Sequence, residues 1–466
     1  MDVKKTGTAT QVTRGAQTPT SVIERYYDLI ANSAADFEVG HCSDAFEPAM
    51  KLPPLDARMQ SFLSVATAQF FEMGNYRGVP LRLFDLRQNA NTQTTKTLAS
   101  TLIVARAIRH IQETGDSILL FSPSSGNKAI ALRDAVLRAL KAKLVHPEQL
   151  RIVTLTPAQT IGKVRRSELY NDVRLRALNP VFVLDTASPE AVKVVGQQFK
   201  SLFSHNPMGE LKLWHSLRLE NYRFSDQTRA FFDFEYGDAW DTDRKTVHVH
   251  AVSSAYGLLG YCSGVEVLKQ HKKQVSTPSF LLVQHLATSD MVLHLLDGNF
   301  EGASTPSYTK ASNGLWVQLE SPHFPAATWS PDEILEPTFY THLPPTAVEM
   351  SGLVKANGGS GIVVSLYECM QRYSECAQLL ADTPIRLPAD PRDLKEWSLV
   401  MAMTGCLNAI DRQLLVGMDG CTIHASGSYC RGDYEVIPTD GLTFVSNAEE
   451  MMEILRSHCE TSALIF

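Results

Sequence analysis

Residues 96–128 read KTLASTLIVARAIRHIQETGDSILLFSPSSGNK and contain a helix pattern, a strand pattern and a polar turn in direct succession. Apolar residues recur at helical spacing over residues 97–112, which predicts an amphipathic helix with Lys96 at its head. Residues 117–121 form a short apolar run that is typical of a buried strand. The turn at 124–127 then leads into the next helical pattern.

This order predicts that the Lys96 amine and the turn at 124–127 share one cleft. An amine in a cleft is able to hold an aldehyde cofactor as a Schiff base. A polar strand-to-helix turn is able to bind a carboxylate through its backbone N–H groups. The stretch therefore favours a site that handles an aldehyde and an anion together.

The alternation of strand and helix patterns continues along the chain. Strands are predicted at 151–154, 181–184, 279–283, 361–364 and 421–425. Helices are predicted at 128–143, 255–270, 345–356, 366–380 and 394–414. Such alternation is typical of an α/β protein with parallel sheets covered on both faces. Two segments depart from it: residues 1–20 are predicted to be a disordered arm, and the charged, aromatic segment 205–246 is predicted to be an insertion.

Composition limits the classes of function. The chain has 466 residues, 44% hydrophobic and 20% charged, with a formal net charge of −7, as expected of a globular protein with two domains. The negative charge argues against nucleic acid as a partner. No apolar run approaches a membrane span or the core of a signal peptide, so we expect a cytoplasmic protein with no membrane partner. The eight cysteines are scattered without a Cys-x-x-Cys pair, which indicates neither a zinc site nor a disulfide framework.

Residues from about Met73 to Tyr434 follow an order of elements that resembles the tryptophan-synthase-β and threonine-synthase group. These are the fold-type-II pyridoxal-phosphate enzymes, and the threonine-synthase branch is the most similar. The resemblance implies two three-layer αβα domains with parallel sheets and pyridoxal 5′-phosphate in the cleft between them. The larger, cofactor-binding domain would comprise residues 51–96 and 247–466, and the smaller, mobile domain would comprise residues 97–246.

Lys96 corresponds, in this resemblance, to the catalytic lysine that holds the cofactor as a Schiff base. The plainer interpretation is a solvated lysine in a first helical turn. The family usually has Asp where this chain has Thr97, and a Ser-Phe type pair where it has Thr94-Thr95. To attack an aldehyde the amine must be neutral, which burial beside the cofactor would control.

The sequence Ser124-Ser125-Gly126-Asn127-Lys128 resembles the family's asparagine loop. The resemblance implies that this loop grips the substrate carboxylate and that Asn127 donates a hydrogen bond to the 3′-oxygen of the cofactor. An ordinary helix cap is the alternative, because Ser and Asn are common at helix N-termini.

The phosphate site is expected after the strand at 279–283, where the family has a glycine-rich turn. Here the turn is Gln-His-Leu-Ala-Thr-Ser-Asp at 284–290, without glycine. Its residues Leu286, Ala287, Thr288 and Ser289 are predicted to bind the phosphate through free amides and hydroxyls. The turn Gly-Gly-Ser-Gly at 358–361 is the alternative, and plain turn chemistry accounts for either.

Ser426 follows the strand at 421–425, at the place where the family has a Ser or Thr against the pyridine nitrogen. A hydroxyl there supports less positive charge on the ring than a carboxylate would. The resemblance therefore implies elimination or replacement at the β or γ carbon of an amino acid. A Ser-Gly turn without function is the alternative.

The chain is thus expected to be a pyridoxal-phosphate lyase or synthase acting on a small amino-acid substrate, with threonine-synthase-like chemistry in specialised amino-acid metabolism. Lys96 would move the α-proton as a general base. Family resemblance suggests a homodimer. The alternative is a non-catalytic relative that binds a small amino acid or a protein partner, which the glycine-free turn favours.

Two further features carry less weight. His248 and His250 alternate along a predicted strand, but without a third ligand nearby they do not indicate a metal site. Residues 253–256, Ser-Ser-Ala-Tyr, open a predicted helix at a place where the resemblance implies small polar residues near the substrate, and a helix cap is the preferred interpretation. No Gly-x-Ser-x-Gly elbow, Walker loop or Gly-x-Gly-x-x-Gly turn after a strand is present, which argues against serine hydrolases, P-loop enzymes and simple dinucleotide binders.

Overall fold

The structure, a computed structural model, describes residues 19–35, 46–124, 126–185, 189–215, 219–237, 241, 243–339 and 341–464. Its strands are β1 (Thr20–Ser21), β2 (Thr67–Tyr76), β3 (Val79–Asp85), β4 (Ser117–Pro123), β5 (Leu150–Pro157), β6 (Val181–Leu184), β7 (Leu211–His215), β8 (Thr246–Ala251), β9 (Ser279–His285), β10 (Thr309–Lys310), β11 (Trp316–Val317), β12 (Ala327–Thr328), β13 (Gly359–Val364), β14 (Gly420–Ala425) and β15 (Thr443–Val445).

The α-helices are α1 (Val22–Arg25), α2 (Tyr27–Ala35), α3 (Ala57–Leu63), α4 (Lys96–Thr114), α5 (Asn127–Lys141), α6 (Glu168–Asn171), α7 (Val173–Leu178), α8 (Pro189–His205), α9 (Leu219–Tyr236), α10 (Tyr256–Gln270), α11 (Asp290–Asp297), α12 (Ala347–Asn357), α13 (Leu366–Leu379), α14 (Ser398–Asp411) and α15 (Ala448–Leu464). Short 3-10 helices lie at Ala158–Lys163, Leu286–Thr288, Pro391–Asp393 and Thr439–Gly441.

The larger sheet has the strand order β1-β2-β3-β14-β8-β9-β13. The strands from β3 to β13 run parallel, and β1 and β2 add an antiparallel edge. Its central strands are buried on both faces, as expected for apolar strands between helical layers. The carboxyl ends of β3, β14 and β8 are therefore neighbours at one edge of the sheet.

The smaller sheet has the order β15-β6-β5-β4-β7 and is entirely parallel. Strand β15 does not fit the domain boundaries expected from the sequence, because all of 247–466 was expected to belong to the larger domain. Thr443–Val445 pairs with Phe182–Leu184, and α15 packs against α8 and α7. The chain thus returns to the smaller sheet at its C-terminal end, because the apolar face of α15 is buried there against that layer.

Residues 205–246 are not an insertion. They supply β7, which is an edge strand of the smaller sheet, and α9, which packs along α10 and α4. The aromatic residues that suggested a separate segment are core residues, since Trp214, Phe231 and Phe232 are buried. Of the predicted arm, residues 1–18 lie outside the described residues, and Thr20 pairs with Ala68 of β2.

Helices α9 and α10 lie unusually close to each other because α10 presents glycines to α9. A Cβ atom at Gly260 would lie 2.3 Å from the Cβ of Asp226, and one at Gly264 would lie 2.5 Å from the backbone oxygen of Gln227. Only glycine leaves room for such an approach. This packing brings the acidic and basic side chains of α9 beside the N-terminus of α10.

Within the described part of the chain, no helix has the length and apolar character needed to cross a membrane. The same residues contain no group of three or more His, Cys, Asp or Glu side chains suited to a metal ion.

Candidate active site

A cavity of about 200 Å³ opens between the two sheets at the carboxyl ends of their strands. Its walls come from the segments that follow β3, β14 and β8 of the larger sheet and β4 of the smaller one. This is the usual location of ligand sites in parallel α/β sheets. The cavity brings together predicted site residues far apart in sequence, namely Lys96, Ser124, Asn127, Lys128 and Ser426.

Lys96 begins α4 and extends its amine towards this cavity. Its Nζ lies 5.2 Å from the centre of the Tyr222 ring. No hydrogen-bond acceptor or carboxylate partner of this amine is found among the described residues. Burial lowers the pKa of the Lys96 amine; Arg229 lowers it further, whereas Asp226 and Glu396 act in the opposite direction. Lys96 is thus an enclosed amine with an enlarged neutral fraction.

Lys128 lies near the same aromatic ring. Its Nζ is 5.9 Å from the centre of the Tyr222 ring. Burial lowers its pKa well below the usual value, and the nearby charge of Lys96 contributes to the same shift. The two amines therefore disfavour each other's protonation, and together they make the cavity attractive to an anion.

The turn that precedes α5 is compact. The Ser124 hydroxyl accepts a hydrogen bond from the backbone N–H of Gly126 over 3.3 Å. A Cβ atom at Gly126 would lie 3.2 Å from the side chains of both Lys163 and Thr338, so glycine allows the turn to pack against them. Ser125, predicted to contact the substrate carboxylate, lies outside the described residues.

Asn127 is held in one orientation by two partners. Its Nδ2 donates to Glu396 Oε2 over 2.7 Å, and its Oδ1 accepts from the Tyr429 hydroxyl over 2.7 Å. An amide nitrogen carries two protons, so one N–H of Asn127 is left for a further acceptor. The sequence did not point to this arrangement, because Glu396 and Tyr429 lie far from Asn127 along the chain.

Glu396 belongs to a buried charged cluster with Lys163 and Glu336. The Lys163 Nζ lies 2.6 Å from Glu336 Oε1 and 3.4 Å from Glu396 Oε2. Burial alone would lower the pKa of Lys163, but Glu336, Tyr429 and Glu396 raise it above its usual value. Burial and the charge of Glu336 raise the pKa of Glu396. The cluster contains two carboxyl groups for one ammonium, and the raised pKa of Glu396 favours the protonated form of that carboxyl group.

Ser426 contributes an unsatisfied hydroxyl to the cavity. Its Oγ is buried and has no hydrogen-bond partner among the described residues. Ser426 directly follows β14, next to the segment that delivers Lys96. A buried hydroxyl without a hydrogen-bond partner is unfavourable unless a ligand supplies that partner. This is the clearest sign of a polar group missing from the cavity.

The turn over residues 253–257 also faces the cavity. Ala255 adopts the left-handed conformation with φ 51° and ψ 18°, which is rare for a residue other than glycine. No side-chain cap satisfies the start of α10, so the interpretation of this turn as a helix cap was wrong. In the described part of the chain no carbonyl accepts from the backbone N–H of Ser253, Ser254 or Ala255. Such a turn at a helix start forms an anion-binding nest.

The predicted phosphate turn lies elsewhere. Leu286, Ala287, Thr288 and Ser289 do not line the cavity. Their turn follows β9, which is one strand further from β14 than β8 is. The Thr288 hydroxyl is hydrogen-bonded to His285 Nε2 over 3.1 Å and to the Phe339 carbonyl over 3.1 Å, and Phe339 separates it from the cavity. The structure thus does not bring these predicted phosphate-binding residues to the cavity that Lys96 lines.

The alternative turn at 358–361 is on the wrong edge of the sheet. It comprises the start of β13, whereas the cavity is at the carboxyl ends of the parallel strands. A Cβ atom at Gly359 would lie 2.0 Å from the Phe280 backbone oxygen. Glycine at this position allows β13 to lie close to β9.

Arg229 is a site residue that the sequence did not reveal. It lines the cavity and is fixed by hydrogen bonds to Asp226 Oδ1 at 2.7 Å, Thr95 Oγ1 at 2.9 Å and His424 Nδ1 at 3.1 Å. A Cβ atom at Gly257 would lie 2.5 Å from its Nη2, so glycine at the start of α10 lets the guanidinium lie against the turn.

A directed chain of hydrogen bonds extends behind Arg229. Arginine only donates, so His424 accepts at Nδ1 and carries its proton on Nε2, which lies 2.9 Å from His248 Nδ1. His248 Nε2 is in turn 3.5 Å from Asp233 Oδ2. Burial lowers the pKa of His424 well below its usual value, consistent with the neutral form. The pair His424 and His248 therefore supports Arg229 from behind the cavity wall.

His250 lines the cavity next to this chain. Its Nδ1 is buried without a partner among the described residues. Burial lowers its pKa well below the usual value, and Arg229 and Lys96 add to the shift. It is a neutral imidazole with an open nitrogen.

Comparison with known proteins agrees with this architecture. A family model described as a family of unknown function, DUF6002, matches residues 18–459. No curated protein matches the sequence. The structure of pyridoxal-phosphate-bound threonine synthase from Brucella melitensis is similar over 96% of this chain and 92% of that chain, with a TM-score of 0.56 and 10% identity. Threonine synthase from yeast is similar over 94% of this chain and 84% of that chain, with a TM-score of 0.52 and 11% identity.

At these identities the likeness establishes the fold. The chain has the two-domain α/β fold of threonine synthase, and the predicted fold class and structural resemblance are confirmed.

Proposed function

We propose that this chain, which belongs to the DUF6002 family of unknown function, is a pyridoxal-phosphate-dependent enzyme that acts on an α-amino acid. The observation that carries the proposal is the meeting of the Lys96 amine and the orphaned Ser426 hydroxyl in one cavity. The two groups are supplied by neighbouring strands of the sheet, and neither has a protein partner that explains its burial.

The donors around the cavity fit the functional groups of pyridoxal phosphate. The Lys96 amine, whose pKa is lowered by burial, suits an aldehyde carbon. The Ser426 hydroxyl suits the pyridine nitrogen, and the remaining N–H of Asn127 suits the 3′-oxygen. The free amides of the turn at 253–257, together with Arg229, suit the phosphate. This assignment replaces the turn at 286–289 in the phosphate-binding role.

When bound, pyridoxal phosphate supplies an electron sink that stabilises negative charge at the α-carbon of an attached amino acid. Ser426 offers a neutral donor to the ring nitrogen, so the chain leaves that nitrogen without a paired carboxylate. A neutral donor at the ring nitrogen favours elimination or replacement at the β or γ carbon, in keeping with threonine-synthase-like chemistry.

Lys96 has two tasks in the proposal. Its Nζ would hold the cofactor aldehyde and would be released when the substrate amine takes its place. The released Nζ, whose pKa is lowered by burial, would then accept the α-proton and return a proton to the product. Tyr222 lies against both Lys96 and Lys128 and covers this amine from solvent.

The substrate carboxylate would lie at the turn over residues 124–128. Helix α5 begins at Asn127, and the first N–H groups of a helix have no acceptor within the helix. The Lys128 amine adds a nearby cationic group when it is protonated. We include in the proposal the homodimer that the family resemblance implies and movement of the smaller domain over the substrate.

The proposal is tested with a panel of O-substituted serines and homoserines, measuring ammonia, 2-oxo acid and replacement products by mass spectrometry. Turnover of at least one member by the cofactor-loaded protein, abolished in Lys96→Ala, is expected. A protein that binds pyridoxal phosphate but turns over no member would contradict the assignment to elimination or replacement.

The non-catalytic alternative rested on the absence of glycine from the turn at 284–290. That turn does not line the cavity, so the feature no longer favours either function. A protein that binds an amino acid equally well with and without pyridoxal phosphate would support the non-catalytic role.

A further inference from the structure

A second cavity of about 620 Å³ lies on the far side of α5 from the candidate active site. Its walls are α5, the segment 164–171, the loop at 90–91 and residues 433–435. None of these lining residues was singled out by the sequence, and the proposed reaction does not use the cavity.

The cavity contains a buried cation that lacks a counter-charge. Arg133 is 6% exposed, and its Nη1 donates to the Asn179 carbonyl over 2.8 Å. Its Nε is buried without a partner, and no carboxylate pairs with the guanidinium among the described residues. Burial lowers the pKa of Arg133 to about 10, with no carboxylate opposing that shift. A buried charge left in this state is unfavourable.

The carboxylates around the cavity are engaged with other groups. Asp134 pairs with Arg138 at 2.8 Å, Glu168 pairs with Lys141, and Glu435 lies 3.4 Å from Arg166. Asp433 accepts from the backbone N–H of Cys430 over 2.8 Å. Arg133 therefore has no anion available from the surrounding side chains.

Arg165 adds a second cation to the wall. It donates to the carbonyls of Asn91 at 2.6 Å and Thr92 at 2.9 Å, and its guanidinium stacks 4.4 Å from the centre of the Tyr434 ring. Its Nε is buried without a partner in the described part of the chain. Apolar side chains, including Ile130, Leu137 and Val164, complete the lining.

We propose that this second cavity binds a small organic anion, whose carboxylate or phosphate pairs with Arg133 and whose apolar part contacts Ile130, Leu137 and Val164. Guanidinium groups bind both kinds of oxyanion through paired hydrogen bonds. The site stands on its own residues and does not depend on the proposed function.

The walls of this cavity continue into the candidate active site. Asn91 lies on the loop that leads to Lys96, α5 starts at Asn127, and Tyr434 follows Ser426 along the chain. Arg165 also lies 4.7 Å from the ring centre of Tyr429, whose hydroxyl donates to Asn127. The second cavity thus shares three wall segments with the first.

The test measures the thermal unfolding midpoint of the full chain, saturated with pyridoxal phosphate, against added sodium phosphate or sodium succinate at constant ionic strength. At least one anion should raise the midpoint of the wild-type protein. In Arg133→Gln its apparent affinity should fall about tenfold or more, because a hydrogen bond to a charged group is lost. Arg109→Gln, at an arginine that pairs with Glu113 and lies outside the cavity together with that partner, should respond like the wild type.

Arg133→Lys keeps a positive charge but loses the paired N–H donors of the guanidinium, so it should show an intermediate response. This variant serves as a control for misfolding of the glutamine variant. A response to phosphate alone identifies a phosphate ligand, and a response to succinate alone identifies a carboxylate ligand. No response of the wild-type protein to either anion, or an equal response in all variants, overturns the proposal. Failure to bind pyridoxal phosphate leaves this comparison intact, because the difference between Arg133→Gln and Arg109→Gln reports only on the second cavity.

Discussion

The backbone N–H of Thr95 donates to the backbone carbonyl of Ser426 over 2.8 Å. One residue further along, Lys96 begins α4, so this bond fixes the lysine relative to the serine. A bridge between Thr94 and Gly427 adds to the connection. Lys96 and Ser426 therefore approach the cavity as one unit, although they are distant in sequence.

Replacing Ser426 by alanine should have opposite effects on the empty and the loaded protein. Without cofactor, Ser426→Ala should raise the free energy of unfolding by about 1 kcal/mol, because a buried hydroxyl without a partner is removed. Affinity for pyridoxal phosphate should fall by about 1 kcal/mol, because the ring nitrogen loses its donor. Urea unfolding and fluorescence titration measure the two effects. Ser428→Ala, also buried but outside the cavity, should not weaken cofactor binding.

Arg229 should determine preference for the phosphorylated cofactor. Arg229→Gln should reduce the ratio of affinities for pyridoxal phosphate over pyridoxal by about tenfold or more, because a charge-assisted contact to the phosphate is lost. Arg106→Gln is the matched control, since Arg106 is equally buried but lies outside the cavity. An unchanged ratio in Arg229→Gln would exclude the phosphate contact and leave the substrate carboxylate as the partner of this guanidinium.

Ala255 should tolerate glycine but not a branched residue. Its left-handed conformation costs about 1 kcal/mol or more for a residue with a Cβ atom, so Ala255→Gly should stabilise the protein or leave it unchanged and should preserve cofactor affinity. Ala255→Val should destabilise it by more than about 1 kcal/mol. Thermal unfolding with and without pyridoxal phosphate measures both. Loss of stability in the glycine variant would mean that the turn is not strained.

Stability should fall as the pH drops below about 6.5, the pKa of an unfolded histidine. Burial lowers the pKa values of His250 and His424 well below that value in the folded state. Between the folded and unfolded pKa values only the unfolded chain binds these protons, so acidification favours unfolding. Each histidine contributes a slope of up to about 1.4 kcal/mol per pH unit.

Urea unfolding at pH 7, 6 and 5 measures this slope, which His250→Gln should reduce. His342→Gln, at a solvent-exposed histidine, should leave it unchanged. A free energy of unfolding that stays constant from pH 7 to 5 would show that the buried histidines accept protons in the folded protein.

The sequence predicted the elements that present the active-site lysine, asparagine loop and serine because each is defined locally. A helix pattern headed by Lys96, a turn before α5 and a serine after β14 can be recognised within short windows. Their meeting in one cavity follows from the rule that parallel strands direct their carboxyl ends to the same edge.

The turn at 253–257, to which we assign the phosphate in the proposal, was not predicted for that role for two physical reasons. Periodicity does not show that β8, rather than β9, pairs with β14, since that order is set by tertiary packing. The expected glycine is also absent, because Ala255 takes the left-handed conformation usually left to glycine. Arg229 was missed because its helix reaches the cavity only through close packing on the glycines of α10.

Lys163, Glu336 and Glu396 could not have been found from local patterns either. They come from three distant segments, and only the fold buries them together behind Asn127. Taken singly, each would be interpreted as an ordinary surface charge.

Covalent trapping of the cofactor tests the central claim most directly. The protein is loaded with pyridoxal phosphate, reduced with borohydride, digested, and analysed by peptide mass spectrometry. We predict a pyridoxyl group on Lys96, retained in Lys128→Ala and absent from Lys96→Ala. Lys128 lies near the same Tyr222 ring as Lys96. Labelling of Lys128 in the wild-type protein, or no labelled lysine at all, would contradict the account.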